Sequence, residues 1–179
     1  MKAFIFDTET TGLVENRSMN PKKLPEIIEF YGCVYDWGTS VVEEEVDSLC
    51  KPQLAPISAE ITKITRIDNH DVENAPAFRE IVPAIESSMA KCQAVIAHNL
   101  SFDKDMLEIE FERLGLTVKW PALNICTVEQ TIHYKGYRLS LTDLHELLFQ
   151  RPFPEAHRAK HDTQALINIT TELIKRGDI

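Results

Sequence analysis

Short apolar runs alternate along this chain with amphipathic segments and with polar connections that contain proline. Runs rich in Ile, Val and aromatic residues are typical of strands, and apolar positions spaced three and four apart are typical of helices. The pattern predicts strands at residues 2–7, 26–36, 41–50, 93–99 and 124–127. It predicts helices after an N-cap at Ser58 and at 77–91, 101–115, 129–135, 141–149 and about 160–176. Hairpin strands followed by alternating helices and strands indicate an α/β domain around a mixed sheet.

Some elements carry further expectations. The first strand is apolar on both faces and is expected to be central in the sheet. Pro83 should kink the helix at 77–91 or mark its true start. The helix at 101–115 should end at Gly115. Its buried face is expected to contain Phe102, Met106, Ile109 and Leu114.

Length and composition narrow the class of protein. The 179 residues suffice for one domain, and no segment marks a boundary, so we expect a single domain over 1–179. The four cysteines form no C-x-x-C pair, which leaves zinc ribbons and redox motifs without support. The apolar stretch AFIF is short and meets Asp7, so no secretory signal or membrane span is expected and the predicted location is cytoplasmic.

The formal net charge is −9, which argues against a protein that coats nucleic acid through a broad basic surface. It does not exclude an enzyme that binds phosphates through metal ions, because such an enzyme needs a local cluster of acids.

Two acids, Asp7 and Glu9, directly follow the first apolar strand. Alternate residues of a strand share a face, so both carboxylates point the same way if the strand continues through them. Paired carboxylates repel each other unless a cation lies between them, and Mg²⁺ and Mn²⁺ prefer oxygen ligands. A second Asp-x-Glu, Asp71 to Glu73, follows no strand and is interpreted as part of a polar loop.

Two further acids, Asp103 and Asp162, lie near the beginning of predicted helices. Each alone is explained by the helix macrodipole. His157 precedes Asp162 by five residues, a spacing that would separate them by about 140° on a continuous helix. The two side chains converge only if His157 lies on the preceding loop, and Pro152 and Pro154 favour such a loop.

The ordered segments FDTETTGL, HNLSFD and HRAKHD resemble the three motifs of the DEDDh family. These are DnaQ-like 3′→5′ exonucleases, such as the proofreading epsilon subunit of bacterial DNA polymerase and RNase T. The resemblance implies a ribonuclease H-like fold, α/β with a mixed five-stranded sheet flanked by helices. It also implies metal-dependent hydrolysis of phosphodiester bonds at the 3′ ends of single-stranded nucleic acid, with DNA favoured, and release of nucleoside 5′-monophosphates.

The resemblance also assigns the catalytic set. By position, Asp7, Glu9, Asp103 and Asp162 match the family's four acids, which hold two divalent cations, Mg²⁺ or Mn²⁺. His157 matches the general base.

A second set of residues is implied to contact the substrate. It consists of Thr10, Thr11, Gly12, Leu13, Lys63, Arg66, His98, Asn99 and Phe102. For several of these a structural role is the alternative, as a core position for Phe102, a helix cap for His98 and Asn99, or a solvated surface for the two basic residues. Other basic candidates are Lys135, Arg138, Arg158 and Lys160.

The chain departs from the family pattern in three places. His161 replaces a small or apolar residue and is a rival to His157 as base. An extra residue near Phe30 and Tyr31 predicts a β-bulge there. Cys126 replaces an acid that often precedes the following threonine.

Two alternatives stay open at this point. One is an exoribonuclease of RNase T type, and the other is a non-catalytic module that docks to a polymerase. The complete set of five catalytic residues argues against the second, because repelling acids without metal would destabilise a binding module. The expected partners are single-stranded 3′ ends and a DNA polymerase or replication complex.

Overall fold

The fold is built on a five-stranded sheet, which we describe from a computed structural model that covers residues 1–151, 153 and 158–179. Its strands are β1 (Lys2–Thr10), β2 (Ile27–Asp36), β3 (Val41–Leu49), β4 (Ala94–Ala97) and β5 (Leu123–Cys126). They lie in the order β3-β2-β1-β4-β5. The first three strands pair antiparallel, whereas β4 and β5 run parallel to β1. The sheet is therefore mixed, as the sequence predicts.

Helices connect and cover the strands. They are α1 (Ala59–Thr65), α2 (Phe78–Met89), α3 (Leu100–Arg113), α4 (Thr127–Thr131), α5 (Leu141–Phe149) and α6 (Ala159–Arg176). Short 3-10 turns occur at Pro21–Lys23 and Ile132–Tyr134. Among the described residues, no helix is both long and apolar enough to cross a membrane.

The central strand β1 is buried on both faces because a different helical layer packs on each. Phe4 and Phe6 stack with each other at 5.8 Å and contact Phe30 on the side of α2 and α3. Ile5 points to the opposite side, where it shares a core with Leu166 of α6. The carboxyl end of β1 thus lies between two helical layers.

Close packing explains one glycine of β2. Gly32 lies opposite Phe6, and a Cβ atom at this position would approach Cζ of Phe4 to 2.5 Å. Since the ring of Phe4 is fully buried, even a methyl group at Gly32 would force the aromatic core to move.

The predicted position of the β-bulge is wrong. Phe30 and Tyr31 pair regularly with Thr8 and Asp7. The register shifts at the step from Glu9 to Thr10 instead, so that Ile28 of β2 has no partner on β1. A second shift, between Val34 and Tyr35, leaves Glu43 of β3 as the extra residue. The first register shift, at Ile28, therefore lies next to Glu9.

Other expectations differ from the structure in detail. The first strand continues to Thr10, past the predicted end at residue 7. Pro83 lies inside α2 and does not mark its start, which is at Phe78. Leu114 is 39% exposed and follows the last residue of α3, Arg113, so it does not belong to the buried face of the helix. Gly115 takes the predicted left-handed conformation after the helix. The loop that Pro152 and Pro154 predict before α6 lies mostly outside the described residues.

Candidate active site

Three carboxylates converge at the carboxyl end of β1. Asp7 and Glu9 project from the same face of the strand, because the strand continues to Thr10. Asp162, in the first turn of α6, approaches them from the helix that covers this face. One oxygen from each of Asp7, Glu9 and Asp162 lies within 4.8 Å of the others. These three residues form the carboxylate cluster.

Asp103 approaches from the opposite side of β1. It lies in the first turn of α3 and is only 4% exposed. Thr8, whose side chain points away from those of Asp7 and Glu9, donates a hydrogen bond of 2.9 Å from Oγ1 to Oδ1 of Asp103. Burial raises the pKa of Asp7, and the negative charges of Asp103, Asp162 and Glu9 raise it further, so the four predicted acids lie close enough to interact.

The electrostatics of the cluster disfavour the ionised carboxylates when no cation is bound. Burial raises the pKa of Glu9 to about 8, and the charges of Asp162 and Glu29 add to this rise. Burial also raises the pKa of Asp103 to about 7 and raises the pKa of Asp7 well above its usual value. A set of oxygen ligands that resists ionisation in this way fits a hard divalent cation, which would stabilise the charged forms.

The turn after β1 is fixed by the chain segment that leads into β2. The amide of Thr11 donates to the carbonyl of Glu26, and the amide of Glu26 donates to Oγ1 of Thr11. Oγ1 of Thr10 donates to the carbonyl of Gly12 at 2.7 Å. These bonds leave Leu13 projecting from the end of the turn with 76% of its surface exposed. The turn is therefore held by hydrogen bonds at its base and presents an exposed apolar side chain shortly after the end of β1.

His98 is held inside the protein by both ring nitrogens. Nε2 donates to the carbonyl of Leu139 at 3.1 Å, and Nδ1 accepts from the hydroxyl of Thr127 at 2.9 Å. Burial lowers the pKa of His98 to about 4, so the ring is neutral. These contacts favour the structural alternative for His98, although they connect β4 to the segment after α4 and do not cap α3.

The remaining predicted substrate contacts are at the surface or at the edge of the core. Asn99 is exposed before α3, and its Oδ1 accepts from Nη2 of Arg138 at 2.8 Å. Phe102 packs partly against the main core. Lys63 and Arg66 are exposed at the end of α1, outside the carboxylate cluster.

Two of the additional basic candidates are bound to acids of the protein. Nζ of Lys160 lies 2.8 Å from Oδ2 of Asp47. The guanidinium of Arg158 forms an ion pair with Glu29 of β2 at 2.7 Å. Arg158 is engaged in this ion pair but keeps 41% of its side chain exposed, and Lys135 is exposed as well.

The sequence did not predict roles for Glu29 and Thr8. Thr8 binds Asp103, and Glu29 binds Arg158 and the amide of Ala159. A signal for Glu29 was present, because it is an acid within a strand that is otherwise apolar over its first half. His157, the predicted base, lies outside the described residues. Its rival His161 is partly buried in the first turn of α6, next to Asp162.

Comparison with known proteins also indicates an exonuclease. The family model described as "Exonuclease" (RNase_T) matches residues 4–170. A DNA polymerase III of PolC type from Caldanaerobacter subterraneus subsp. tengcongensis is 31% identical over 172 residues, which are 96% of this chain and 11% of that protein. The PolC-type polymerase of Bacillus cereus is 26% identical and aligns over 97% of this chain and 12% of that protein. The chain thus spans about a tenth of the length of these curated relatives.

Solved structures share the fold. The nuclease domain of 3′hExo, described as a DEDDh family member bound to rAMP, has a TM-score of 0.79 at 18% identity and aligns over 98% of this chain and 92% of that chain. Exonuclease X in complex with 5′ overhanging duplex DNA has a TM-score of 0.67 at 24% identity, over 98% and 93% of the two chains. The predicted ribonuclease H-like fold is confirmed.

The mixed sheet with acids at the end of its central strand defines a nuclease of the ribonuclease H-like class. The chain belongs to the exonuclease family, whose model covers nearly all of it. The family predicted from the sequence and its kind of enzyme, an exonuclease, are confirmed.

Proposed function

We propose that residues 1–179 act as one domain that removes nucleotides from the 3′ end of single-stranded DNA and releases nucleoside 5′-monophosphates. The observation that carries this proposal is the convergence of Asp7, Glu9 and Asp162 within 4.8 Å at the end of a buried strand. Membership in the exonuclease family supplies the reaction class.

In this proposal Asp7, Glu9, Asp103 and Asp162 hold two divalent cations, Mg²⁺ or Mn²⁺. Bound there, the ions would activate the attacking water and stabilise the leaving oxygen of the phosphodiester. The protein holds these acids in fixed positions, because β1 is buried on both faces and Thr8 fixes the orientation of Asp103.

The other roles follow from position. The base of the turn at Thr10 to Gly12 is fixed by hydrogen bonds, so its backbone and the exposed Leu13 are suited to meet the terminal nucleotide. His157 would accept the proton of the attacking water, since an imidazole with a pKa near 6.5 is suited to this role at neutral pH. His161 is the alternative base.

A polymerase is the proposed partner. The relatives from C. subterraneus and B. cereus are polymerases, and the stretch that this chain matches forms only 11% and 12% of their length. A 3′ end that leaves a polymerase is single-stranded, and the net charge of −9 is unsuited to a broad grip on duplex DNA. The proposal is therefore a proofreading exonuclease, with RNA as the alternative substrate.

The test is digestion of 5′-labelled single-stranded DNA and RNA oligonucleotides with Mg²⁺, Mn²⁺ or EDTA. We expect a ladder that shortens from the 3′ end, faster on DNA, and that is abolished by EDTA or by Asp7→Asn. Glu73→Gln, in the second Asp-x-Glu of the chain, is the matched control and should keep full activity. Cleavage by Asp7→Asn at the wild-type rate would contradict the site, and faster digestion of RNA would contradict the preferred substrate.

A second pair of variants separates the two histidines. His157→Ala should lose nearly all activity, whereas His161→Ala should keep most of it. The opposite result would transfer the role of base to His161.

A further inference from the structure

A buried acid of β2, Glu29, lies directly beside the carboxylate cluster without joining it. The strand register places Glu29 opposite Glu9, and only 3% of Glu29 is exposed. Among the described residues, the group of ligand atoms within 4.8 Å contains Asp7, Glu9 and Asp162 but not Glu29. Its carboxylate is instead directed towards the beginning of α6.

Three donors at the beginning of α6 occupy the carboxylate of Glu29. Arg158 donates from Nε at 3.0 Å and from Nη2 at 2.7 Å, and the amide of Ala159 donates at 2.9 Å. The N-cap of α6 is Arg158, whose side chain makes no capping hydrogen bond to the helix. Glu29 therefore acts as the acceptor for the first amide of the helix from a neighbouring strand, where a negative charge is favoured by the helix dipole.

This contact fixes the helix turn that carries Asp162. The amide of Asp162 donates to the carbonyl of Arg158 at 3.0 Å, so Asp162 lies one turn after the residue that Glu29 binds. Ala159, between them, is fully buried against the sheet. Since Glu29 lies opposite Glu9, its contact sets the distance between the first turn of α6 and the end of β1.

We infer that Glu29 and Arg158 are positioning residues, which hold the first turn of α6 so that Asp162 reaches the carboxylates of Asp7 and Glu9. This inference rests on the proposed function, because it assumes that these three acids bind metal. Partners that orient metal ligands without touching the metal change metal affinity by about 10- to 100-fold. The side chain of Arg158 is 41% exposed, so solvent screens this ion pair and limits what it adds to stability.

The experiment uses the double variant Glu29→Leu/Arg158→Met, which removes both charges together. The formal net charge of the chain is unchanged by this pair of substitutions. We expect its melting temperature in EDTA to fall by roughly 5 °C, because the buried amide of Ala159 loses its acceptor, so the effect of Mn²⁺ is measured from each variant's own value in EDTA. We expect the Mn²⁺ concentration for half-maximal thermal stabilisation to rise about tenfold, and kcat to fall about tenfold while KM for a single-stranded oligonucleotide stays the same.

A milder variant keeps the inference testable if the double variant does not fold. Glu29→Gln retains an acceptor for the amide of Ala159 but weakens the contact with Arg158, so it should shift the Mn²⁺ midpoint by roughly threefold. Glu44→Gln, at the exposed ion pair between Glu44 and Lys91, removes the same charge far from α6 and should shift nothing. Wild-type Mn²⁺ midpoints in the double variant, or in Glu29→Gln if that is the variant that folds, would overturn the positioning role.

Asp7→Asn in the same titration separates this inference from the proposed function. If Mn²⁺ stabilises Asp7→Asn as well as the wild type, the metal site itself is wrong. If Asp7→Asn loses the stabilisation and the double variant keeps it, only the role of Glu29 and Arg158 is wrong.

Discussion

When divalent cations are absent, the free energy of unfolding should fall as the pH rises from about 5 to about 8. The pKa of Glu9 is 4.5 in an unfolded chain and about 8 in the fold, so the folded state holds a proton that the unfolded state has lost. An acid whose pKa is raised by folding makes its full contribution to stability when the pH is below its unfolded pKa. That contribution is then lost progressively as the pH rises through the folded pKa.

The size of the effect follows from Glu9. At about 1.4 kcal/mol for each pKa unit, the rise from 4.5 to about 8 amounts to about 5 kcal/mol. Because Glu9 is partly exposed and solvent screens its charge, we expect a fall of roughly 3 kcal/mol in the free energy of unfolding. For a domain of this size that is a fall of roughly 10 °C in melting temperature.

The assay is urea or thermal unfolding between about pH 5 and about pH 8.5, in EDTA and in Mn²⁺. In EDTA the wild type should lose stability with rising pH, and Mn²⁺ should remove most of this dependence. Glu9→Gln cannot ionise, so at about pH 8 in EDTA it should be more stable than the wild type by roughly 3 kcal/mol, although it is inactive. Glu73→Gln, whose side chain is exposed in a loop, should behave like the wild type. Wild-type stability that increases over this pH range in EDTA would refute the reasoning.

Three further predictions concern single side chains. Thr8→Val removes the hydroxyl that binds Asp103, so it should raise the Mg²⁺ concentration for half-maximal activity about threefold to tenfold. Thr8→Ser keeps a hydroxyl and should not raise it. Equal Mg²⁺ midpoints for Thr8→Val and the wild type would contradict this prediction. Gly32→Ala should lower the free energy of unfolding in urea by about 1–3 kcal/mol, because its Cβ would meet Cζ of Phe4 at 2.5 Å; unchanged stability would show that the core yields. Leu13→Ala should leave the melting temperature unchanged, since the side chain is 76% exposed, but raise KM for single-stranded oligonucleotides; an unchanged KM would exclude a substrate contact.

Local signals in the sequence predicted most of the fold. Helix α5 begins and ends as predicted, because Ser140 accepts from the amide of Asp143 as an N-cap and the apolar spacing is regular. Gly115 ends α3 through its left-handed backbone, which is also a local property. The β-bulge was misplaced because register depends on the partner strand, and only the packing of β1 against β2 decides that Ile28 is the extra residue.

The candidate site shows the same division. Asp7, Glu9, Asp103 and Asp162 were recognisable because the ordered segments that contain them resemble the family motifs, and the structure places them near the carboxyl end of β1 or in the first turn of a helix. The contacts that orient them were not recognisable. Thr8 binds a residue 95 positions away and Glu29 binds one 129 positions away, and no local pattern reports such distances.

The segment Asp7-Thr8-Glu9 shows why strand periodicity matters for the chemistry as well as for the fold. Its two carboxylates point to the α6 side and meet Asp162, whereas the hydroxyl between them points to the α3 side and binds Asp103. A slip of one residue in the register of β1 would exchange these faces, turning the hydroxyl towards Asp162 and the carboxylates towards Asp103. The phenylalanines of β1 resist such a slip, because they would leave the core that they form with Phe30. The aromatic core therefore does more than stabilise the sheet, since the same packing decides which face of β1 presents the acids.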